Sequence, residues 1–200
     1  MTSTSVVAMS VMLLIHGFVL DVIIIGLVPM ISASAANGSR AALFPWTLGG
    51  YPGFIGPGYP FLDKLPNLHP CHRRFIAENA AYAVLRGGAG IYALFDGANA
   101  VPALTMAVAS HWAEAVTIAW EIFTYGCPPD AAPPMTLMGI FSTWTLLTVM
   151  NNDDYFTVDP ASLTAMQIMV GLTWCSWLVG VMGILKNKNN TGRSSDYHRL

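Results

Sequence analysis

Charged residues are scarce in this chain. Only 10% of its 200 residues are Asp, Glu, Lys or Arg, and 54% are hydrophobic, whereas about a quarter of an average soluble domain is charged. The formal net charge of −2 provides no long-range field that would attract a polyanion. This composition excludes a disordered chain, a nucleic-acid-binding protein and an ordinary soluble enzyme domain, and it indicates an integral membrane protein.

Cysteine is also scarce, and the patterns typical of active sites are missing. Cys71, Cys127 and Cys175 are far apart and odd in number, which fits neither a disulfide framework nor a zinc site. No serine or cysteine nucleophile stands with a histidine and a carboxylate in a recognisable setting, and there is no glycine-rich phosphate loop. We therefore expect no enzymatic activity, no metal and no cofactor, with structural phospholipids as the only expected ligands.

Long apolar segments account for most of the chain. One helical crossing of a bilayer needs about 20 mostly apolar residues. Five segments approach this length, at about 6–31, 75–95, 102–125, 135–150 and 163–185. The sequence thus predicts an all-α, polytopic transmembrane bundle of about five helices, forming one membrane domain over 1–200. A loop rich in Gly, Pro and aromatic residues at 32–72 and a polar tail at 186–200 complete the predicted organisation.

The basic residues predict the topology. Eight of the nine lie either between the first two spans or after the last one: Arg40, Lys64, Arg73, Arg74, Lys186, Lys188, Arg193 and Arg199. Five crossings place residues 32–74 and the C-terminus on one side, which the positive-inside tendency assigns to the cytosol or the matrix. We expect a multi-pass protein of an intracellular organelle membrane, and favour the mitochondrial inner membrane over the endoplasmic reticulum.

The first loop is dense in aromatic side chains. These are Phe44, Trp46, Tyr51, Phe54, Tyr59 and Phe61. Intervening Gly and Pro residues disfavour a helix, yet the aromatic area is too large for a plain solvated linker. Two interpretations stay open, an interfacial loop at headgroup depth and a loop that docks on a partner protein. Beside it, Arg73 and Arg74 are candidates for contacting an anionic lipid headgroup.

Ionisable residues interrupt the first three spans. They are His16, Asp21, Glu78, Arg86, His111, Glu114 and Glu121. A charge at the bilayer centre costs roughly 2.5–3.5 kcal/mol, so each one needs a partner or a purpose. Five residues of an α-helix turn through about 500°, so we expect His16 and Asp21 to lie about 140° apart and not to face one neighbour. We expect Glu114 and Glu121 to face the bundle interior and to pair with Arg86 or with hydrogen-bond donors.

Spans two to four carry a set of short motifs. Arg73 and Phe75 open the second span and Arg86 follows within it; the third span ends in Glu121-Ile122-Phe123-Thr124-Tyr125-Gly126, and Pro134 starts the fourth. Over about 73–150 the chain resembles the ergosterol-biosynthesis scaffold family, small helical proteins that tether the sterol C-4 demethylation enzymes in the endoplasmic reticulum. This chain adds a fifth span and a long first loop. The resemblance implies a non-enzymatic helical protein whose surfaces hold other proteins.

Three functions stay open at this point. The first is a non-catalytic integral-membrane scaffold or accessory subunit of a large multi-protein complex, which we place in an energy-converting complex of an organelle membrane. The second is the endoplasmic-reticulum tether of sterol-biosynthesis enzymes that the resemblance implies. The third is a transporter or proton-conducting protein that uses His111, Glu114 and Glu121, which fall within an arc of about 80° on one helix. The expected partners are membrane-protein subunits and lipids, without nucleic acid.

Overall fold

A computed structural model describes residues 3–21, 70–125 and 132–191 of the chain, and every regular element within these residues is helical. The all-α class predicted from the sequence is therefore confirmed for this part of the chain. In order, the elements are α1 (Thr4–Leu14), a π-helical segment (Ile15–Asp21), α2 (Pro70–Phe95), a 3-10 turn (Gly97–Asn99), α3 (Val101–Tyr125), α4 (Ala132–Met150) and α5 (Pro160–Thr191). Side chains are described for 3–21, 80–120, 122–123 and 135–186.

Two helices are longer than the apolar segments that predicted them. Helix α2 begins at Pro70, so residues 70–72, predicted as the end of the first loop, are helical. Helix α5 continues to Thr191, into the predicted tail at 186–200. Hydrophobicity marks only the apolar middle of a helix, whereas proline favours the first helical position because its missing N–H has no intrahelical partner there. Residues 22–31 of the first predicted span lie outside the described residues.

Successive helices run in alternating directions. At one end, the Asn152 side chain bonds Ser3 and Ser5, and the Tyr155 hydroxyl donates to the Ala93 and Leu94 carbonyls. These bonds join the start of α1, the end of α2 and the α4–α5 connection. At the other end, the Lys186 ammonium lies 4.6 Å from the centroid of the Phe123 ring, so the ends of α3 and α5 meet there.

Helix α3 is the central element, because it packs against α2, α4 and α5. Its buried apolar residues belong to two separate clusters, one including Val101, Leu104 and Val108 and the other including Ala115 and Ile122. Helix α1 and its π-helical segment pack against α2. The stretch of α3 from 110 to 114 lies between the two apolar clusters and carries buried polar side chains instead.

Two described helices are long and apolar enough to cross a membrane, Thr4–Asp21 and Pro160–Lys186. Ala80–Phe95 and Met135–Met150 are shorter apolar helices. Only 28% of the most apolar window of Pro160–Lys186 is buried inside the molecule, so this helix turns most of its apolar surface outward.

Candidate functional site

A π-helical turn brings two distant polar side chains to one face. Hydrogen bonds in a π-helix run from residue i to i+5, so residues five apart lie about one turn apart. Within Ile15–Asp21 this geometry aligns His16 with Asp21, and the His16 Nε2 lies 3.7 Å from the Asp21 Oδ1. The expectation that these two residues could not face one neighbour is wrong, because it assumed α-helical geometry.

That shared neighbour is Arg86 of α2, whose side chain is fully buried. Its Nη1 donates to both Asp21 carboxylate oxygens, at 3.2 and 3.3 Å, and lies 3.2 Å from His16 Nε2. Its Nη2 donates to Glu114 Oε2 at 2.5 Å and to the Ser110 carbonyl at 3.2 Å. Its Nε donates to Ser110 Oγ at 2.9 Å. All three guanidinium nitrogens therefore donate to acceptors on α3 or on the π-helical segment.

Two ion pairs connect three separate helical elements through this one guanidinium. The Asp21 and Glu114 side chains are 1% and 4% exposed, so neither pair is screened by water. Charge-assisted bonds of this kind are roughly twice as strong as neutral ones. Because both carboxylates bond the same side chain, the position of the π-helical segment is tied to that of α3 through α2. The Tyr82 ring adds a cation–π contact, 4.7 Å from the guanidinium carbon.

A pair of histidines extends the site away from Arg86. His16 Nδ1 lies 3.1 Å from His111 Nε2, and the two rings are stacked, with centroids 5.0 Å apart and planes 13° apart. The Phe141 ring of α4 meets His16 edge-on at 5.1 Å. His111 is fully buried, and its Nδ1 has no hydrogen-bond partner among the described residues.

We name the six polar residues His16, Asp21, Arg86, Ser110, His111 and Glu114 the Arg86 cluster. It forms where the backbones of the π-helical segment and α2 approach closely. A Cβ added at Gly17 would lie 2.5 Å from the Gly87 nitrogen and 2.7 Å from the Ala83 carbonyl oxygen. The glycine pair removes the side chains that would hold the helices apart, and thereby allows the π-helical segment to reach Arg86.

The structure thus brings together five of the seven intramembrane polar residues proposed from the sequence. Those five are His16, Asp21, Arg86, His111 and Glu114. The remaining proposed residues have side chains outside the described set: Glu78, Glu121, Arg73, Arg74, Phe44, Trp46, Tyr51, Phe54, Tyr59 and Phe61. The backbone of α2 places Arg73 and Arg74 within its first two turns.

Sequence reasoning missed two contributors to the site. Ser110 supplies both a hydroxyl and a carbonyl acceptor to Arg86, and Tyr82 covers the guanidinium. Helical spacing could have suggested both, since Ser110 precedes Glu114 by four residues and Tyr82 precedes Arg86 by four. A serine or tyrosine within an apolar helix, however, is common enough that spacing alone does not single it out.

Comparison of the chain with protein-family models, with curated proteins and with solved structures found no match.

Proposed function

We propose that this chain is a non-catalytic integral-membrane protein that crosses the bilayer five times and serves as a scaffold or accessory subunit of a larger membrane complex. The large apolar side chains exposed on the surface of the bundle support the proposal. All five helices expose large apolar side chains, including Val11, Val84, Phe95, Trp120, Leu147 and Ile168. In water such extensive exposed apolar surface would drive association, whereas lipid or the apolar helices of partner subunits would cover it at no such cost.

The charges at the two ends of the bundle support a transmembrane orientation of the whole bundle. Asp153 and Asp154 lie in the α4–α5 connection, beside the start of α1. Lys186 lies at the opposite end, and Lys188 follows it in α5. An acidic end and a basic end on opposite faces of an alternating bundle fit the positive-inside tendency.

The Arg86 cluster favours a structural role for the polar interior. Arg86 is fully buried, and its nitrogens donate to protein acceptors on two other helical elements. Buried polar groups that bond one another hold membrane helices together. A scaffold needs such fixed helix positions, because its outer surfaces have to match those of its partners.

Two membranes are candidate locations for this scaffold. The aromatic-rich sequence at 32–69 and the fifth helix favour an accessory subunit of an energy-converting complex in an organelle membrane, with the mitochondrial inner membrane as our first choice. The resemblance over 73–150 favours a tether of sterol-biosynthesis enzymes in the endoplasmic reticulum. We give precedence to the first location.

Co-purification tests this proposal. The protein, carrying a C-terminal tag, is extracted in mild detergent and analysed by native gel and mass spectrometry. We expect stoichiometric recovery with subunits of a respiratory or ATP-synthase complex. Recovery with sterol demethylation enzymes would select the tether instead. A monodisperse protein recovered alone would contradict both scaffold roles and favour the transporter or proton-conducting protein that uses His111, Glu114 and Glu121.

A further inference from the structure

The acceptors around Arg86 outnumber its hydrogens on one side. Each terminal nitrogen of a guanidinium carries two hydrogens and can only donate. Nη2 bonds two acceptors, Glu114 Oε2 and the Ser110 carbonyl. Nη1, however, faces three acceptor atoms within 3.3 Å, which are both Asp21 oxygens and His16 Nε2. A proton on one Asp21 oxygen removes the mismatch, because the two Nη1 hydrogens then serve the other Asp21 oxygen and His16.

The charge of Arg86 is likewise divided between two carboxylates. Its Nη2 lies 2.5 Å from Glu114 Oε2, whereas its Nη1 lies 3.2 and 3.3 Å from the Asp21 oxygens. The shorter charge-assisted bond is the stronger one, so the guanidinium compensates Glu114 better than Asp21. Asp21 is 1% exposed and has no ion pair with a second Lys or Arg among the described residues. A buried carboxyl group whose charge is incompletely compensated binds a proton instead of staying ionised.

We propose that Asp21 is a proton-binding site inside the bundle, which holds one proton under conditions in which exposed aspartates are ionised. A proton from water binds one carboxylate oxygen of Asp21 and forms an O–H bond, and no other bond breaks. The ion pair of Arg86 with Asp21 becomes a hydrogen bond to a neutral acid, while Arg86 and Glu114 stay paired. Both histidines of the cluster remain neutral, so the bound proton cancels a buried negative charge and adds no positive one.

The charged and titratable groups described around Asp21 come from the π-helical segment, α2 and α3. They are His16, Arg86, Tyr82, His111 and Glu114. Helix α4 contributes the apolar Phe141 ring, and the titratable groups described on α5 lie outside the cluster. Glu114 is the second carboxylate of this set and competes with Asp21 for the charge of Arg86. Proton binding at Asp21 should therefore weaken when Glu114 is replaced by a neutral side chain.

Infrared spectroscopy of the aspartate carboxyl groups tests the site. The full chain is prepared in lipid nanodiscs with and without carbon-13 in the aspartate carboxyl groups, so that the difference spectrum contains only aspartate bands. At a pH of about 6, roughly two units above the ordinary pKa of aspartate, exposed aspartates are ionised. We expect the carbonyl band of a protonated carboxylic acid there, with the intensity of a single group, because Asp21 is the only buried aspartate among the described residues. Absence of this band would overturn the proposal.

Three variants assign the band. Asp21→Asn should remove it, whereas Asp159→Asn, which removes an exposed carboxylate outside the cluster, should leave it. Glu114→Gln should lower the midpoint of its pH titration by about one unit or more, a tenfold or greater loss of proton affinity. A band that persists in a folded Asp21→Asn protein, or an unshifted midpoint in a folded Glu114→Gln protein, would contradict the assignment to Asp21. If neither variant folds, the spectrum of the parent protein decides. The result is independent of which partners the protein binds.

Discussion

Arg86 decides the geometry of the polar interior because one planar side chain bonds two carboxylates on different helical elements. A buried ion pair is weak evidence of stability by itself, since removing its charges from water offsets much of their attraction. Loss of one partner is costly, however, because the other charge stays buried without compensation. For Arg86 that cost applies twice, at Asp21 and at Glu114.

We expect Arg86→Gln to destabilise the protein strongly. Breaking a buried pair costs about 3–5 kcal/mol, and the shorter amide cannot reach both carboxylates. Thermal unfolding in detergent measures the loss. Lys186→Gln is the matched control, because it removes a cation whose contact is an outer cation–π interaction worth about 1 kcal/mol or less. Equal destabilisation by the two substitutions would contradict a central role for Arg86.

The site could be predicted from the sequence in part. A lone arginine in an apolar span requires a partner, and the sequence offers Glu114 and Glu121, each expected to pair with Arg86 or with hydrogen-bond donors. The structure shows the pair of Arg86 with Glu114. The contribution of His16 and Asp21 was not predictable, because their spacing is favourable only in a π-helix. Nothing in the local sequence identifies the π-helical geometry; it becomes favourable when both side chains gain bonds to Arg86.

At the scale of the element, glycines determine how closely α1 approaches α2. Gly17 and Gly87 meet directly, and a Cβ added at Gly90 would lie 2.7 Å from the Ser10 carbonyl oxygen. By contrast, a Cβ added at Gly88 would meet no atom of the described residues within 4 Å. The three glycines of α2 therefore serve different purposes although they lie within four positions of the chain.

We expect Gly17→Ala to lower the free energy of unfolding and Gly88→Ala to leave it unchanged or to raise it. At Gly17 the new methyl group meets backbone atoms, which cannot move aside easily. We therefore expect the free energy of unfolding to fall by about 1–3 kcal/mol, as is typical of overpacking. At Gly88 the methyl group enters open space, and the higher helix propensity of alanine should be neutral or stabilising by up to about 1 kcal/mol. Thermal unfolding of both proteins under the same conditions checks this. A similar loss at both positions would argue against the close helix contact.

The start of α5 depends on a charged cap. Asp159 Oδ1 accepts a hydrogen bond from the Ser162 backbone N–H at 2.8 Å, and Pro160 occupies the first helical position. Hydrogen bonds from Ser162, first from its side chain and then from its backbone, lower the pKa of the Asp159 carboxyl below its ordinary value. A lowered pKa in the folded state means that the cap contributes stability above the ordinary pKa of aspartate and loses it as the pH falls through the lowered value.

We therefore expect the first turn of α5 to fray in acid. The protection factors of the amides near Ser162, which are the intrinsic exchange rates divided by the observed rates at the same pH, should be larger at neutral pH than below the lowered pKa of Asp159. Asp159→Asn keeps a capping oxygen without the ionisable group, so its exchange should show no such dependence on pH beyond the intrinsic one. If the variant and the parent respond alike, the carboxylate is not the source of the effect.

At the scale of the whole molecule, the alternating helices put the acidic α4–α5 connection and the end of α5 on opposite faces. The contacts of Asn152 with Ser3 and Ser5 establish one end, and that of Lys186 with Phe123 establishes the other. This arrangement requires an odd number of crossings if all helices span the bilayer. It also agrees with the separation of basic from acidic residues along the sequence.

Single-cysteine labelling tests whether α5 crosses the membrane, as the five-span topology requires. In a protein whose Cys71, Cys127 and Cys175 are replaced by Ser, we expect Asp153→Cys and Lys188→Cys to react with a membrane-impermeant thiol reagent from opposite sides of sealed vesicles. Labelling after permeabilisation provides the control for reactivity. Reaction of both positions from the same side would mean an even number of crossings between them and would rule out the five-span topology.

The sequence alone determined the helical class and the approximate position of each helix, because both follow from the length and composition of the apolar segments. It could also identify the ionisable residues that needed partners, since burying a charge is costly wherever it occurs. The tertiary structure decided which partners they have. His16 meets Asp21 and His111 only because a π-helical turn, a glycine contact and the central position of α3 act together. Such contacts depend on residues distant in the chain, so no local pattern encodes them.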